Sequence, residues 1–143
     1  LNSKHLFDVE SIPVCSADYL KKAPPLKSSA DLWKHTLLNL DGVSHAPEDW
    51  AWWLEVFSVY KPKSSQIIGF DNYANVIQAA IDGQGLALGF SHMVDEMIEK
   101  KILLAPISER KGRGLSVYLV VPEGVVMSAG TKELYDWILE EVK

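Results

Sequence analysis

The chain has 143 residues, 48% of them hydrophobic, with 14 basic and 19 acidic side chains and a formal net charge of −5. That length and apolar content suffice for one buried core, while the acidic balance argues against a nucleic-acid surface, which needs clustered Lys and Arg. No apolar run approaches the roughly 20 residues of a membrane span, nothing at the start reads as a signal peptide, and a lone cysteine excludes an internal disulfide framework and fits a reducing cytoplasm.

Residues 1–6 show no clear pattern. Phe7 to Cys15 reads as extended chain running into Ser16, a plausible cap for a short helix through Tyr19 and Leu20. Lys21 to Pro25 is a basic, proline-bearing break. Ser29 to Trp33 is a short helical turn, followed by a strand from Thr36 to Leu40. Asp41 to Pro47 is a loop in which Gly42 supplies the turn. Pro47-Glu48-Asp49 opens a helix with carboxylates in its first turn, where the helix dipole favours them. Trp50, Trp53, Leu54 and Phe57 fall on one face of that helix. Three tryptophans in four residues invite an aromatic-cage or base-stacking reading, but Trp50 and Trp53 at i,i+3 are better explained as packing or interface anchors.

After a polar loop from Tyr60 to Ser65 comes the stretch that organises the chain. Gln66 to Phe70 is a short apolar run ending at Asp71, expected to be the N-cap of the next helix. Tyr73, Val76, Ile77, Ala80 and Ile81 recur at helical spacing and form one apolar face. Gly83 and Gly85 stop the helix. Leu86 to Phe90 is apolar on both parities, as in a strand covered on both faces. This unit puts a helix N-terminus at the carboxyl end of a strand, where α/β folds place ligands.

Ser91 is expected to cap a helix over His92 to Lys101, with Val94, Met97 and Ile98 inward. A strand at Ile102 to Ile107, a polar loop at Ser108 to Gly114 and a strand at Leu115 to Val121 follow. Pro122-Glu123-Gly124 turns the chain into a final helix, about Thr131 to Val142, expected to bury Leu134, Tyr135, Ile138 and Leu139. Alternating helices and strands without an internal repeat predict an α/β fold with a two-faced sheet.

Few residues suggest covalent chemistry. Cys15 lies before a helix start, where a dipole lowers a thiol pKa, but no orienting histidine can be assigned and a structural cysteine is the simpler reading. His5, His35, His45 and His92 lack ligand spacing, so no metal is expected, and His35 reads as a hydrogen-bonded turn residue. Gly83-Gln84-Gly85 follows a helix rather than preceding one, which is the wrong order for a phosphate cradle. The basic cluster Arg110-Lys111-Gly112-Arg113 reads as a solvated turn. No Gly-x-Ser-x-Gly element or singled-out carboxylate pair points to an enzyme. The start of the helix at Asp71, Asn72 and Tyr73 is the one candidate site. Free amides there suit a carboxylate or polar small molecule, against the alternative of an ordinary capped core helix. The Asp71 charge opposes an anion unless it is engaged in capping.

The same stretch carries a family resemblance. Phe70-Asp71, a helix closing on Gln78-Ala79-Ala80, then Gly83-Gln84-Gly85-Leu86-Ala87-Leu88-Gly89, resembles the effector-binding domain of LysR-type transcriptional regulators, in the subgroup of the glycine-cleavage activator and the β-lactamase regulator. Pro13 to Ser16, Ala30 to Leu32, His35 to Leu38, Trp50 to Leu54, Tyr118 to Pro122 and Trp137 to Leu139 stand in the same order around it. The resemblance implies a type 2 periplasmic-binding-protein-like fold. On that template residues 16–107 form most of the second, Rossmann-like lobe, residues 9–15 and 115–121 are crossing strands, and residues 131–142 are the last helix of the first lobe. It implies a cytoplasmic bacterial regulator with no cofactor, sensing a small polar effector such as an amino acid or small carboxylate. The cleft positions it carries over are Asp71, Asn72, Tyr73, Gly89, Phe90, Val117 and Tyr118. Where the β-lactamase regulator has Tyr-Trp in the crossing this chain has Val117-Tyr118, so that regulator's ligand is not carried over.

The matching residues include neither the winged helix-turn-helix nor the first part of lobe one, so the chain is expected to be a fragment. Operator DNA would be contacted only through an N-terminal domain. Without their partner strands, the strand at 115–121 and the last helix would expose apolar surface and favour self-association. Two other readings stay open: a solute-binding protein or enzyme on the same scaffold, and a pure dimerisation module using Trp50 and Trp53.

Overall fold

The computed structural model describes residues 2–41, 49–112 and 115–142. The expected turn at Gly42, His45, the Pro47-Glu48 start of the tryptophan helix and the end of the 108–114 loop lie outside the described residues. The chain divides into two compact units, residues 1–9 with 114–143, and residues 10–113.

The larger unit is built on a four-stranded sheet of β2 (Ser11–Val14), β3 (Leu37–Leu40), β4 (Ile67–Phe70) and β5 (Leu86–Phe90) in the order β2-β5-β3-β4. Strand β3 runs parallel to both neighbours, and β2 is antiparallel to β5. The alternation of side chains sorts two cores onto the two faces. Ile12, Val14, Leu38 and Ala87 pack with Val76, Ile77, Ala80, Val94 and Leu103. Leu37, Leu86 and Leu88 pack with Cys15, Leu32, Trp50 and Trp53 on the other side. The expected two-faced α/β sheet is the one observed.

Short helices close the connections. In α1 (Ala17–Lys22) the Ser16 hydroxyl accepts the Tyr19 N–H at 3.1 Å. A 3-10 turn at Ser29–Lys34 is held by a Ser28/Asp31 capping box. In α2 (Trp50–Val56) the Asp49 carboxylate accepts the Trp52 N–H at 3.0 Å. Trp50 and Trp53 are fully buried, each with its indole N–H satisfied: Trp50 donates to the Leu38 carbonyl at 2.9 Å and Trp53 to the Ser29 hydroxyl at 3.0 Å. Trp52, off the apolar face that the spacing predicts, is buried too, edge-on to Trp53 at 6.0 Å. Burial of both the ring and its one polar atom's partner makes these residues core, consistent with the packing reading.

Helix α3 (Tyr73–Ile81) buries Val76, Ile77, Ala79 and Ala80. Its cap is Asn72, not Asp71: the Asn72 side-chain oxygen accepts from the Ala74 N–H at 2.8 Å and the Asn75 N–H at 3.4 Å. Gly83, at φ +84°, ends the helix in a Schellman arrangement, with Gln84 N–H donating to the Ala79 carbonyl and Gly83 N–H to that of Ala80.

Two expectations fail after β5. The Ser91 hydroxyl accepts the Glu10 N–H at 2.9 Å instead of capping a helix, and α4 is reduced to Asp95–Glu99 behind His92 at φ +71°. No strand covers residues 102–107; Leu104 exchanges two backbone hydrogen bonds with Cys15 in an isolated bridge. Pro106 has no N–H to extend that pairing.

In the smaller unit, β1 (Asn2–Asp8) pairs antiparallel with β6 (Ser116–Val121), with an irregularity between His5 and Phe7. The patternless start is thus a strand. Helix α5 (Ala129–Glu141) begins at Ser128, whose hydroxyl accepts the Thr131 N–H at 3.2 Å. None of its residues is buried: Leu134 is 56% and Trp137 58% exposed, and Tyr135, Ile138 and Leu139 are half-buried. A two-stranded ribbon offers α5 too little surface to bury them.

Candidate functional site

Strand order places a switch point in the larger unit. Chain leaving β3 passes through α2 to β4 on one side, and chain leaving β5 passes through α4 to the Leu104–Cys15 bridge beside β2 on the other. At such a point the connections diverge from the carboxyl ends of two adjacent parallel strands and leave a crevice between them. Here the crevice lies beyond Asn39–Leu40 of β3 and Phe90 of β5.

The residues around it are Leu38, Asn39, Leu40, Asp49, Trp50, Tyr73, Val76, Leu88 and Phe90, and the cavity they leave is about 10 Å³. Tyr73 and Phe90 account for the closure. Their rings stack at 4.7 Å between centroids and 5° between planes, and the Tyr73 hydroxyl accepts the Phe90 N–H at 2.9 Å. Burial pushes the Tyr73 phenol up from its ordinary value, against the smaller opposing effect of the Phe90 N–H, so the hydroxyl is protonated at neutral pH.

Of the residues singled out from the sequence, Tyr73 and Phe90 are therefore in direct contact. Asn72 stands beside them, occupied as the α3 cap. Asp71 is exposed and takes no part in capping, so its charge opposes an anion at this helix start, and the expected free amides of Ala74 and Asn75 are taken by Asn72. Gly89 is buried, and a Cβ there would sit 2.9 Å from both methyl carbons of Val94 and 3.3 Å from Val14. Val117 and Tyr118 lie on β6 in the other unit, both exposed, with Tyr118 edge-on to His5 at 5.5 Å.

A larger concavity of about 340 Å³ lies against α2, floored by Trp50, Leu54, Val59 and Ile67 and edged by Glu55 and Lys61. The Asn39 amide, shared with the crevice, is partly engaged: its oxygen accepts the Trp50 N–H at 3.0 Å and its nitrogen donates one hydrogen to Asp41 at 2.5 Å. Cys15 is no nucleophile. It is fully buried at the end of β2, and burial pushes its thiol up to about 12, against the dipole effect its position suggested. His35 is a buried, hydrogen-bonded residue whose N–H closes the 3-10 turn onto the Leu32 carbonyl at 3.0 Å. Among the described residues no group of three His, Cys, Asp or Glu could hold a metal ion.

A family model of the LysR substrate binding domain matches residues 1–143. The chain belongs to that family. It is 31% identical over 139 residues to the glycine cleavage system transcriptional activator of Escherichia coli K12, covering 97% of this chain and 44% of that protein. It is 25% identical over 146 residues to the HTH-type transcriptional regulator DsdC of the same organism, covering 100% of this chain and 47% of that protein. The chain thus spans less than half the length of the curated relatives it matches. The effector domain of the regulator AmpR of Pseudomonas aeruginosa superposes with a TM-score of 0.71 at 22% identity, covering 99% of this chain and 65% of that one. The AmpR effector binding domain from Citrobacter freundii gives 0.74 at 18% identity over 99% and 67%. The fold is the α/β, type 2 periplasmic-binding-protein-like one that the resemblance implied.

Sequence reasoning missed one side of the crevice in this LysR-family domain. Asn39, Leu40, Asp49 and Trp50 line it from β3 and the start of α2. The available signal was Asn39, a polar residue interrupting the apolar run Leu37-Leu38-Asn39-Leu40 at the end of a strand.

Proposed function

We propose that this chain is the ligand-sensing and oligomerisation part of a LysR-type bacterial transcriptional regulator, and that it binds a small polar effector such as an amino acid or small carboxylate. The observation that carries this reading is the switch-point crevice, where Tyr73 and Phe90 meet at the carboxyl ends of the parallel strands. Asp71, Asn72 and Tyr73 at the start of α3, with Gly89 and Phe90 at the end of β5, are the candidate effector residues of the larger unit. Gly89 acts there as backbone, since its buried position leaves no room for a side chain. Val117 and Tyr118, exposed on β6, are the positions the family pattern assigns in the smaller unit.

The regulatory step is differential binding. An effector shifts an equilibrium between two arrangements only by the difference of its affinities for them. No catalytic turnover is part of this reading: the curated relatives are transcriptional regulators, and the buried thiol is held protonated. The site of action is the bacterial cytoplasm, and operator DNA is contacted by a DNA-binding region of the parent rather than by this acidic domain. No helix among the described residues is long and apolar enough to cross a membrane.

Self-association is the second half of this reading, and in this chain the exposed apolar side chains of the smaller unit would drive it. Val120, Leu134 and Trp137 are all about half exposed, more than isolated surface apolar residues require.

A thermal-shift screen against amino acids and small carboxylates tests the effector reading. A ligand at about 100 times its Kd adds roughly 2.7 kcal/mol, which raises Tm by several degrees at this size. A selective rise that disappears when Asn72 and Tyr73 are both replaced is the expected result. A ligand response unchanged by both replacements removes these residues from the site.

A further inference from the structure

Helix α1 buries none of its residues; Tyr19 and Leu20 are half-buried and, with Leu26, pack on the core around Cys15. A segment with so few buried apolar contacts opens locally unless something specific holds it. What holds this one is a buried side chain. His35, 1% exposed, meets residues 17–26 through both ring nitrogens: Nδ1 lies 2.7 Å from the Tyr19 hydroxyl and Nε2 3.5 Å from the Pro25 carbonyl. The carbonyl only accepts, so Nε2 carries the hydrogen and Nδ1 takes the phenol proton, while the Thr36 N–H donates to the phenol oxygen at 3.3 Å. That arrangement needs a neutral imidazole. An imidazolium donates at both nitrogens, which turns the Tyr19 contact into two opposed donors. The surroundings do not offset the charge. Asp31 and Lys34, on the turn that ends at His35, act on it in opposite senses, and the Asp31 carboxylate already accepts the Lys27 and Ser28 N–H groups at 2.9 and 3.4 Å. Tyr19 and the Cys15 thiol beside it are pushed up by burial and stay uncharged at neutral pH. Gln66, from the turn before β4, offers only an amide, donating to the His35 carbonyl at 3.3 Å.

We propose that His35 is a proton-operated latch: on taking up a proton it releases residues 17–26 as a unit from the larger unit's sheet and opens the core around Cys15. Both partners of the ring sit on one continuous stretch, so they leave together. The stretch has a boundary, because the Lys27 N–H stays on Asp31 and the Ser28/Asp31 capping box stays with the 3-10 turn. Burial holds the docked imidazole below its ordinary value of 6.5, and release lets it return towards that value. The released form therefore binds the proton more tightly, and release is favoured as pH falls below about 6.5. The latch is independent of the effector site: it gives the domain a second input, the proton, read through α1 rather than through the crevice.

The test is amide hydrogen exchange of the native chain at pH 7.5, 6.5 and 5.5, corrected for intrinsic rates, with residues 86–90 of β5 as internal reference. Residues 17–26 should lose protection as pH falls, by up to about tenfold across this range, the limit for one proton taken up by a group that titrates at 6.5 once released. Strand β5 should stay protected. The chain's one cysteine reports the same opening: labelling of Cys15 by dithiodipyridine, taken relative to the urea-unfolded chain at each pH, should rise by a similar factor. Both readouts should become independent of pH in His35→Gln. Tyr19→Phe should lower the protection of residues 17–26 already at pH 7.5, by about two- to tenfold for one neutral hydrogen bond, and it decides if the His35 variant does not fold. Protection lost from residues 17–26 and β5 together shows global unfolding and overturns the latch. So does protection of residues 17–26 that is unchanged by pH, a pH response that survives in His35→Gln, or native-like protection in Tyr19→Phe.

Discussion

The Tyr19 hydroxyl sits 2.7 Å from Nδ1 of His35, and the direction of that hydrogen bond is set by a third group. The Pro25 carbonyl can only accept, so Nε2 carries the imidazole hydrogen towards it at 3.5 Å and Nδ1 accepts the phenol proton, while the Thr36 N–H donates to the phenol oxygen at 3.3 Å. A proton added at Nδ1 would set two donors against each other. Burial holds His35 below the ordinary imidazole value of 6.5, with Lys34 acting in the same sense and the Pro25 carbonyl and Asp31 opposing. The unfolded chain therefore binds the proton first, and stability falls as pH drops below about 6.5 towards the folded-state value. Urea midpoints at pH 7.5, 6.5 and 5.5 should decline through this window in the native protein and be flatter in His35→Gln. The lowered carboxylates Asp8, Asp31 and Glu96 act only at more acid pH, because their ordinary values already lie at 3.8, 3.8 and 4.5.

The start of α3 makes a second prediction that separates neighbours. Asn72 accepts two backbone N–H groups, whereas Asp71 is exposed and accepts none as a cap. Asn72→Ala should cost about 1 kcal/mol of stability, the usual loss of a side-chain cap. Asp71→Ala should stay within about 0.5 kcal/mol, as for a surface change away from such features. Denaturant melts of the two variants decide it, and equal losses would return the capping role to Asp71.

Much of the larger unit was legible because its signals are local. Tyr73, Val76, Ile77 and Ala80 recur at helical spacing, and Leu86 to Leu88 is apolar on both parities because Leu86 and Leu88 face one core and Ala87 the other. Adjacent Asp71 and Asn72 are both good caps, so local preference alone does not choose between them. Strand β1 was invisible because Asn2, Ser3, Lys4 and His5 are polar and exposed, and only the distant partner β6 makes them a strand. The hydroxyl of Ser91 has the local setting of a cap, but Glu10, far away in sequence, claims it. In the site, family pattern supplied Tyr73 and Phe90, yet their contact depends on α3 crossing β3 to reach β5. Asn39 and Trp50 enter the crevice through that same topology, which no window of residues encodes.

Gly89 gives a packing prediction with a built-in control. A Cβ at this position would lie 2.9 Å from both Val94 methyl carbons, too close for a stiff, buried β-branched side chain to yield. Gly89→Ala should therefore lose about 1–3 kcal/mol, the usual cost of overpacking. Val94→Ala alone also destabilises, by leaving a cavity. Combined, the two should cost clearly less than the sum of the separate losses, because the new methyl occupies space the valine vacates. Full additivity in urea melts would show that the penalty at Gly89 comes from somewhere other than Val94.

Helix α5 should carry the proposed self-association. Its apolar residues follow a helical repeat, yet Leu134 and Trp137 stay 56% and 58% exposed, and with Leu119, Val121, Val125, Met127 and Ile138 they belong to a unit whose groove of about 200 Å³ is almost entirely apolar. Covering that surface removes apolar area from water at roughly 25 cal/mol per Å², so a second copy that lays its own α5 there gains at every exposed side chain. Leu134→Glu and Trp137→Glu should each shift the weight-average mass in sedimentation towards the monomer across a dilution series. Far-UV circular dichroism should be unchanged, since neither side chain is buried within its own unit. The reverse substitution pattern serves as the discriminating control: if Trp33→Glu, on the exposed surface of the larger unit, disperses the assembly and the α5 variants do not, association runs through the other unit and the α5 assignment is wrong.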